Sequence, residues 1–217
     1  MSEELGKIER PPVEGFKKGR KLYFVPLVLP LRDADADLNE LINKYWGQVE
    51  DHIANLEAKL GRVTLIFHEL VAVSGDEGLK ALEMICEPSY QIAKSRVEKG
   101  AHLQAIEDSD NLMEYMDWSR CLAIGLQSQK AFSEVYEKYS AAQKERNETI
   151  AKKIDEVLLE NETGILLMQE GHHVQFPADL QIFYVSPPAL DELKRWLRER
   201  EAPVEKKEEP EQGKENT

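Results

Sequence analysis

A chain of 217 residues has room for one domain with a substantial core, and 41% hydrophobic with 32% charged residues excludes a disordered polymer. The net charge of −13 repels polyanions and argues against a nucleic-acid partner, because such binders carry a basic stripe. No apolar run reaches the roughly 18 residues needed to cross a bilayer, and the opening residues lack the layout of a secretory signal, so a cytoplasmic protein with no membrane partner is expected.

Residues 1–20 read as a disordered basic arm, with Lys7, Arg10, Lys17, Lys18 and Arg20 running on to Lys21 and broken by Glu9 and Glu14. The run 22–31 is apolar but holds Pro26 and Pro30, which cannot donate to a ladder, so it is expected as an edge or bulged strand. Asp37 and Glu40 have the spacing of a capping box, and Leu38, Ile42, Tyr45, Val49 and Ile53 recur at helical spacing as far as Gly61. Residues 63–73 are apolar on both faces, Ile66 and His68 on one and Leu65, Phe67 and Glu69 on the other, which predicts an interior strand.

A second capping box at Ser74–Glu77 opens a helix that Pro88 must end or kink. Further helices are predicted over 90–106, from a Ser109 cap through Leu126, and over 128–160. The last of these is interrupted by Lys144, Glu145, Arg146, Asn147 and Glu148, where it is expected to project beyond the core or to bend. Residues 164–170 form a central strand, Gly171-His172 offers a two-residue hairpin turn toward Val174 and Phe176, and 180–185 form another strand. Ser186-Pro187 then caps a final helix carrying Leu190, Leu193 and Trp196.

The fold class expected is α+β and helix-dominated: a small mixed sheet of about four strands, with a large helical insertion between its N-terminal and C-terminal strands. The domain spans 21–199 with a helical block over 76–160, and 200–217 is a disordered charged tail. Cys86 and Cys121 read as small buried residues in a reducing compartment. Gly75 and Gly78 lack the lysine of a phosphate-binding loop and are better explained by a tight turn.

The candidate metal ligands are His68, His172 and His173, because imidazoles at strand ends are the usual ligands and proton carriers. Their spacing opposes convergence, since adjacent residues on a strand point to opposite faces. No catalytic set and no cofactor motif stands out. The expected function is therefore a non-catalytic interaction or regulatory protein acting through its helical block, with a protein partner or self-association as a homodimer. The alternatives are a metal-dependent or histidine/carboxylate hydrolase at the His68 and His172/His173 strand ends, and an RNA- or ribosome-associated factor using the basic arm.

Overall fold

Three strands are buried along their whole length: β1 (Lys21–Pro26), β2 (Leu65–His68) and β4 (Thr163–Met168). Strands apolar on both faces need cover on both, and helices provide it in this computed structural model, which describes residues 13–30 and 35–201. The short strands β3 (His102–Leu103) and β5 (Gln181–Tyr184) complete a sheet of order β3-β2-β4-β1-β5. All of its pairings are parallel, and β4 lies between β1 and β2.

One face of the sheet, with Tyr23, Val25, Ile66, Ile165 and Leu167, is covered by α1 (Ala36–Leu60), α2 (Gly75–Ile85), α3 (Glu87–Val97) and α6 (Pro188–Glu201). The other face, with Leu22, Phe24, Leu65, Phe67, Leu166 and Met168, receives Ile150, Ile154 and Leu158 from the end of α5 (Gln129–Val157) and just beyond it. The remaining helix, α4 (Ser109–Ala123), is antiparallel to α5 in an αα-hairpin.

The helix-dominated α+β class and the large, mostly helical insertion between the N-terminal strands β1 and β2 and the C-terminal strands β4 and β5 match expectation. The sheet itself has five strands and parallel pairings, where a mixed sheet of about four was expected. The strand that escaped notice is β3, inside the stretch predicted as helix 90–106: α3 stops at Val97, Gly100 turns with φ 97°, and His102 and Leu103 pair with Leu65 and Ile66. Two residues are too few for any periodicity to show.

Strand β1 is not at the edge. The N–H groups of Lys21 and Leu27 face β4, whereas the Phe24 carbonyl faces the β5 side. By alternation Pro26 also faces the β5 side, two positions past Phe24, the last residue paired with that strand, so its missing donor falls beyond the paired ladder. The predicted hairpin at Gly171-His172 does not form either. The chain from 169 to 180 instead folds Val174 and Phe176 against the α5 face.

Several caps sit a residue or two from their predicted places. Asp35 accepts the Leu38 N–H (2.9 Å) and Asp108 accepts those of Asp110 and Asn111. Ser74 occupies the cap position of α2, but its hydroxyl accepts the Ala105 N–H (2.8 Å) and so ties that helix start to the chain leaving β3. Pro88 does not kink a helix; it lies in the first turn of α3, where no N–H is needed.

Gly78 is required by a close approach. A Cβ there would clash with the Val73 carbonyl oxygen and lie 2.7 Å from Leu103 Cδ2. Alanine at 78 is expected to destabilise the fold by about 1–3 kcal/mol despite its better helix propensity. A urea midpoint equal to that of the parent chain would refute this packing.

Part of the predicted basic arm is structural. Arg20 pairs with Asp155 (2.8 Å) and Asp179 (2.8 Å) and donates to the carbonyls of Asp155 and Leu158 at the end of α5. Lys21 is buried, with its ammonium on the Gly19 carbonyl, while Lys17 and Lys18 are exposed. Lys7 and Arg10, like the charged tail from 202 and Leu31 of the first predicted strand, lie outside the described residues.

Candidate functional site

The three candidate histidines occupy two sides of the sheet. His68 ends β2 and continues the face of Ile66; its ring is buried, with Nδ1 against the Glu69 carbonyl and Nε2 3.3 Å from the Ser89 hydroxyl on α3. Burial pushes its pKa down to about 4, so the ring is neutral, with the proton on the nitrogen facing the carbonyl. His172 stands on the opposite face, its ring 5.0 Å from that of Phe24 and 5.6 Å from that of Phe176. Its Nδ1 accepts the Val174 N–H, and burial, then the neighbouring His173, lowers its pKa. His173 is exposed in the loop after β4 and lines a cleft beside α5. The structure thus separates His68 from His172 and His173 by the thickness of the sheet. Among the described residues no group of three or more His, Cys, Asp or Glu side chains could hold a metal ion.

What the fold does bring together is a buried ionic cluster on the α5 face. Glu69 follows β2 directly, Glu107 precedes α4, and Arg146 projects from the middle of α5. All three are buried. The Arg146 guanidinium bonds Glu69 at 3.2 Å and Glu107 through Nε at 3.0 Å, and it lies 4.8 Å from the centre of the Tyr115 ring. The second Glu69 oxygen accepts the Gln169 N–H (2.6 Å), the first amide beyond β4. Lys153 donates to the Glu107 backbone carbonyl (2.6 Å). Burial raises the Glu69 carboxyl above the ordinary glutamate range, with the Arg146 charge opposing it.

The position of this cluster follows from topology. After β2 the chain leaves toward β3 at one edge, and after β4 it leaves toward β5 at the other. Neighbouring parallel strands whose exits diverge leave a crevice beyond their carboxyl ends, the usual ligand position in open α/β sheets. Here Glu69 bridges the crevice and α5 lies across it. Beside it, between α5 and the loop carrying His173 and Gln175, remains a cleft of about 450 Å³.

No family model matches this chain, and comparison with curated proteins and with solved structures gives no match either. The site therefore stands on its own geometry.

Beyond the cluster, α4 and α5 leave the body of the domain. Leu112 and Ala142 are buried, and between them, over 113–141, no residue is. The Tyr115 and Tyr139 rings (5.4 Å) meet across this outer hairpin, Phe132 and Tyr136 stack on one another along α5 (5.9 Å), and Met113, Ile124, Phe132 and Tyr136 are left exposed. Among the described residues no helix is long and apolar enough to cross a membrane.

Neither Glu107 nor Arg146 was singled out from sequence as a site residue. The signal was present in the polar interruption of the last long helical stripe. Ala142, Arg146, Asn147, Ile150 and Ile154 continue one buried face without a bend, so the interruption marks polar residues turned inward.

Proposed function

We propose that the protein is an interaction module that works through the outer half of its α4–α5 hairpin, and that the occupant of this surface is a second copy of the chain. The observation that carries the reading is the absence of any buried residue over 113–141 in a segment that holds Met113, Ile124, Phe132 and Tyr136. A helical pair with apolar side chains and no cover is the kind of surface that association buries. Two such hairpins related by a two-fold axis make a four-helix arrangement, which covers both copies at once.

Charge favours a self-complementary partner. The hairpin carries Asp110, Glu114, Asp117, Glu134 and Glu137 against Arg120, Lys130 and Lys138, so it is close to balanced within a strongly acidic chain. Both signs are interspersed, with Arg120 pairing Asp117 at 2.8 Å, and this suits neither a polyanion nor a polycation. Light scattering after gel filtration is expected to give twice the mass of the chain, and Phe132→Asp with Tyr136→Asp is expected to give monomer with the same far-ultraviolet dichroism. A parent chain that runs as monomer at 100 μM would reject self-association through the hairpin.

A further inference from the structure

Strand β5 forms one edge of the sheet, and among the described residues no strand lies beyond it. The N–H groups of Gln181 and Val185 donate to the carbonyls of Arg20 and Phe24, so by alternation the N–H and carbonyl groups of Ile182 and Tyr184 point away from β1. The side chains at this edge differ between the two faces of the sheet. On the α5 face stand Ile182 and Tyr184, the latter 63% exposed with its ring 5.0 Å from that of Phe24. Around the edge, on the side of α1, a cleft of about 330 Å³ separates Tyr184 and Val185 from His52, Asn55 and Lys59. No carboxylate lines this cleft, and among the described residues Lys59 has no ion pair. The exposed Lys17 and Lys18 adjoin the start of the strand, where the Gln181 amide donates to the Lys18 carbonyl (2.7 Å).

We propose that this edge binds an extended peptide as a further strand, one that is acidic on the face toward α1 and apolar on the other. Strand addition takes its affinity from main-chain hydrogen bonds and its specificity from alternate side chains. Here Ile182 and Tyr184 offer apolar cross-strand neighbours to one set of peptide side chains, while Lys59 and His52 offer donors to the carboxylates of the other set. Lysines beside an edge also deter chance pairing, but a deterrent requires neither a cleft nor an exposed tyrosine. A second copy of the chain does not suit this edge. Antiparallel pairing about a two-fold axis would bring the Lys17 and Lys18 end of one β5 against the Lys59 end of the other, setting like charges together. The edge is available whatever covers the outer hairpin.

Fluorescence anisotropy of a fluorescein-labelled peptide of alternating glutamate and valine, titrated with the full chain, tests the proposal. The chain as a whole, at −13, repels such a peptide, so saturable binding reports the local cations. Binding is expected, weakened at least tenfold by Lys59→Glu, by Tyr184→Pro, which removes an outward N–H, and by shuffling the peptide so that its glutamates are consecutive. Lys59 is exposed, so its replacement leaves the fold intact and decides the matter even where the proline variant does not fold. No saturation up to millimolar chain, affinity unchanged in Lys59→Glu, or a shuffled peptide bound as tightly would each overturn it.

Discussion

Replacing Arg146 by methionine is expected to remove about 3–5 kcal/mol of stability, the largest loss from a single side chain in this protein, because it strands two buried carboxylates without their shared cation. Glu69 and Glu107 are both buried, and among the described residues Arg146 is the one guanidinium that bonds either of them. The loss depends on pH. Burial already raises the Glu69 carboxyl, so the folded state holds its proton more tightly than the unfolded chain. Stability from that proton is fully present below the unfolded glutamate value and is lost as pH rises through the folded one. Without Arg146 only the Gln169 N–H opposes this, and the variant should be nearest to the parent chain at pH 5 and furthest from it at pH 8. Adding Glu69→Gln and Glu107→Gln to the methionine variant should recover much of the loss, since neutral partners need no counter-charge. Denaturant unfolding at the two pH values measures all of this. A methionine variant within about 1 kcal/mol of the parent at pH 8 would show that water already reaches the cluster.

His68 should dominate the acid limb of the stability curve. Its folded pKa of about 4 lies below the unfolded value near 6.5, so the unfolded chain takes up a proton that the folded one refuses. The stabilisation is fully present above pH 6.5 and is lost as pH falls toward 4, amounting to about 3 kcal/mol at the end of that window. His68→Gln removes the titrating group while keeping polar atoms toward Ser89 and the Glu69 carbonyl, and the parent-minus-variant stability should therefore slope upward from pH 4 to 6.5. Proton NMR gives a direct check on the native ring, which should not titrate above pH 5. A ring that titrates near 6.5 would place His68 in contact with solvent.

The framework was legible because it rests on patterns that repeat. Both-face apolar runs identified β2 and β4 as interior, and the buried stripe of α1 follows its spacing residue by residue. The parallel pairing throughout was not legible, because strand periodicity is the same in either direction. Pro26 misdirected the placement of β1: its cost depends on which neighbour its nitrogen faces and how far that neighbour extends, and both are tertiary facts. The ionic cluster was hidden for a related reason. Glu69, Glu107 and Arg146 are separated by 38 and 39 positions, and no spacing joins them until the topology puts them under one helix. His68 and the 172–173 pair were visible as chemistry-bearing residues, but which face each takes is decided only by the path of the chain after β4.

The placement of β4 between β1 and β2 also governs how the molecule is made. The two early strands have no contact as neighbours, and the element that joins them begins only at Thr163. On a ribosome adding about 5–20 residues per second, roughly 7–30 seconds pass between the emergence of β1 and that of its partner. Through that interval Leu22, Phe24, Leu65 and Phe67 have no sheet to complete, while the α4–α5 hairpin, built from local contacts, can already form. The nascent chain is then a finished hairpin attached to an unfinished domain, and its need for chaperone protection should end abruptly once residue 168 has cleared the exit tunnel.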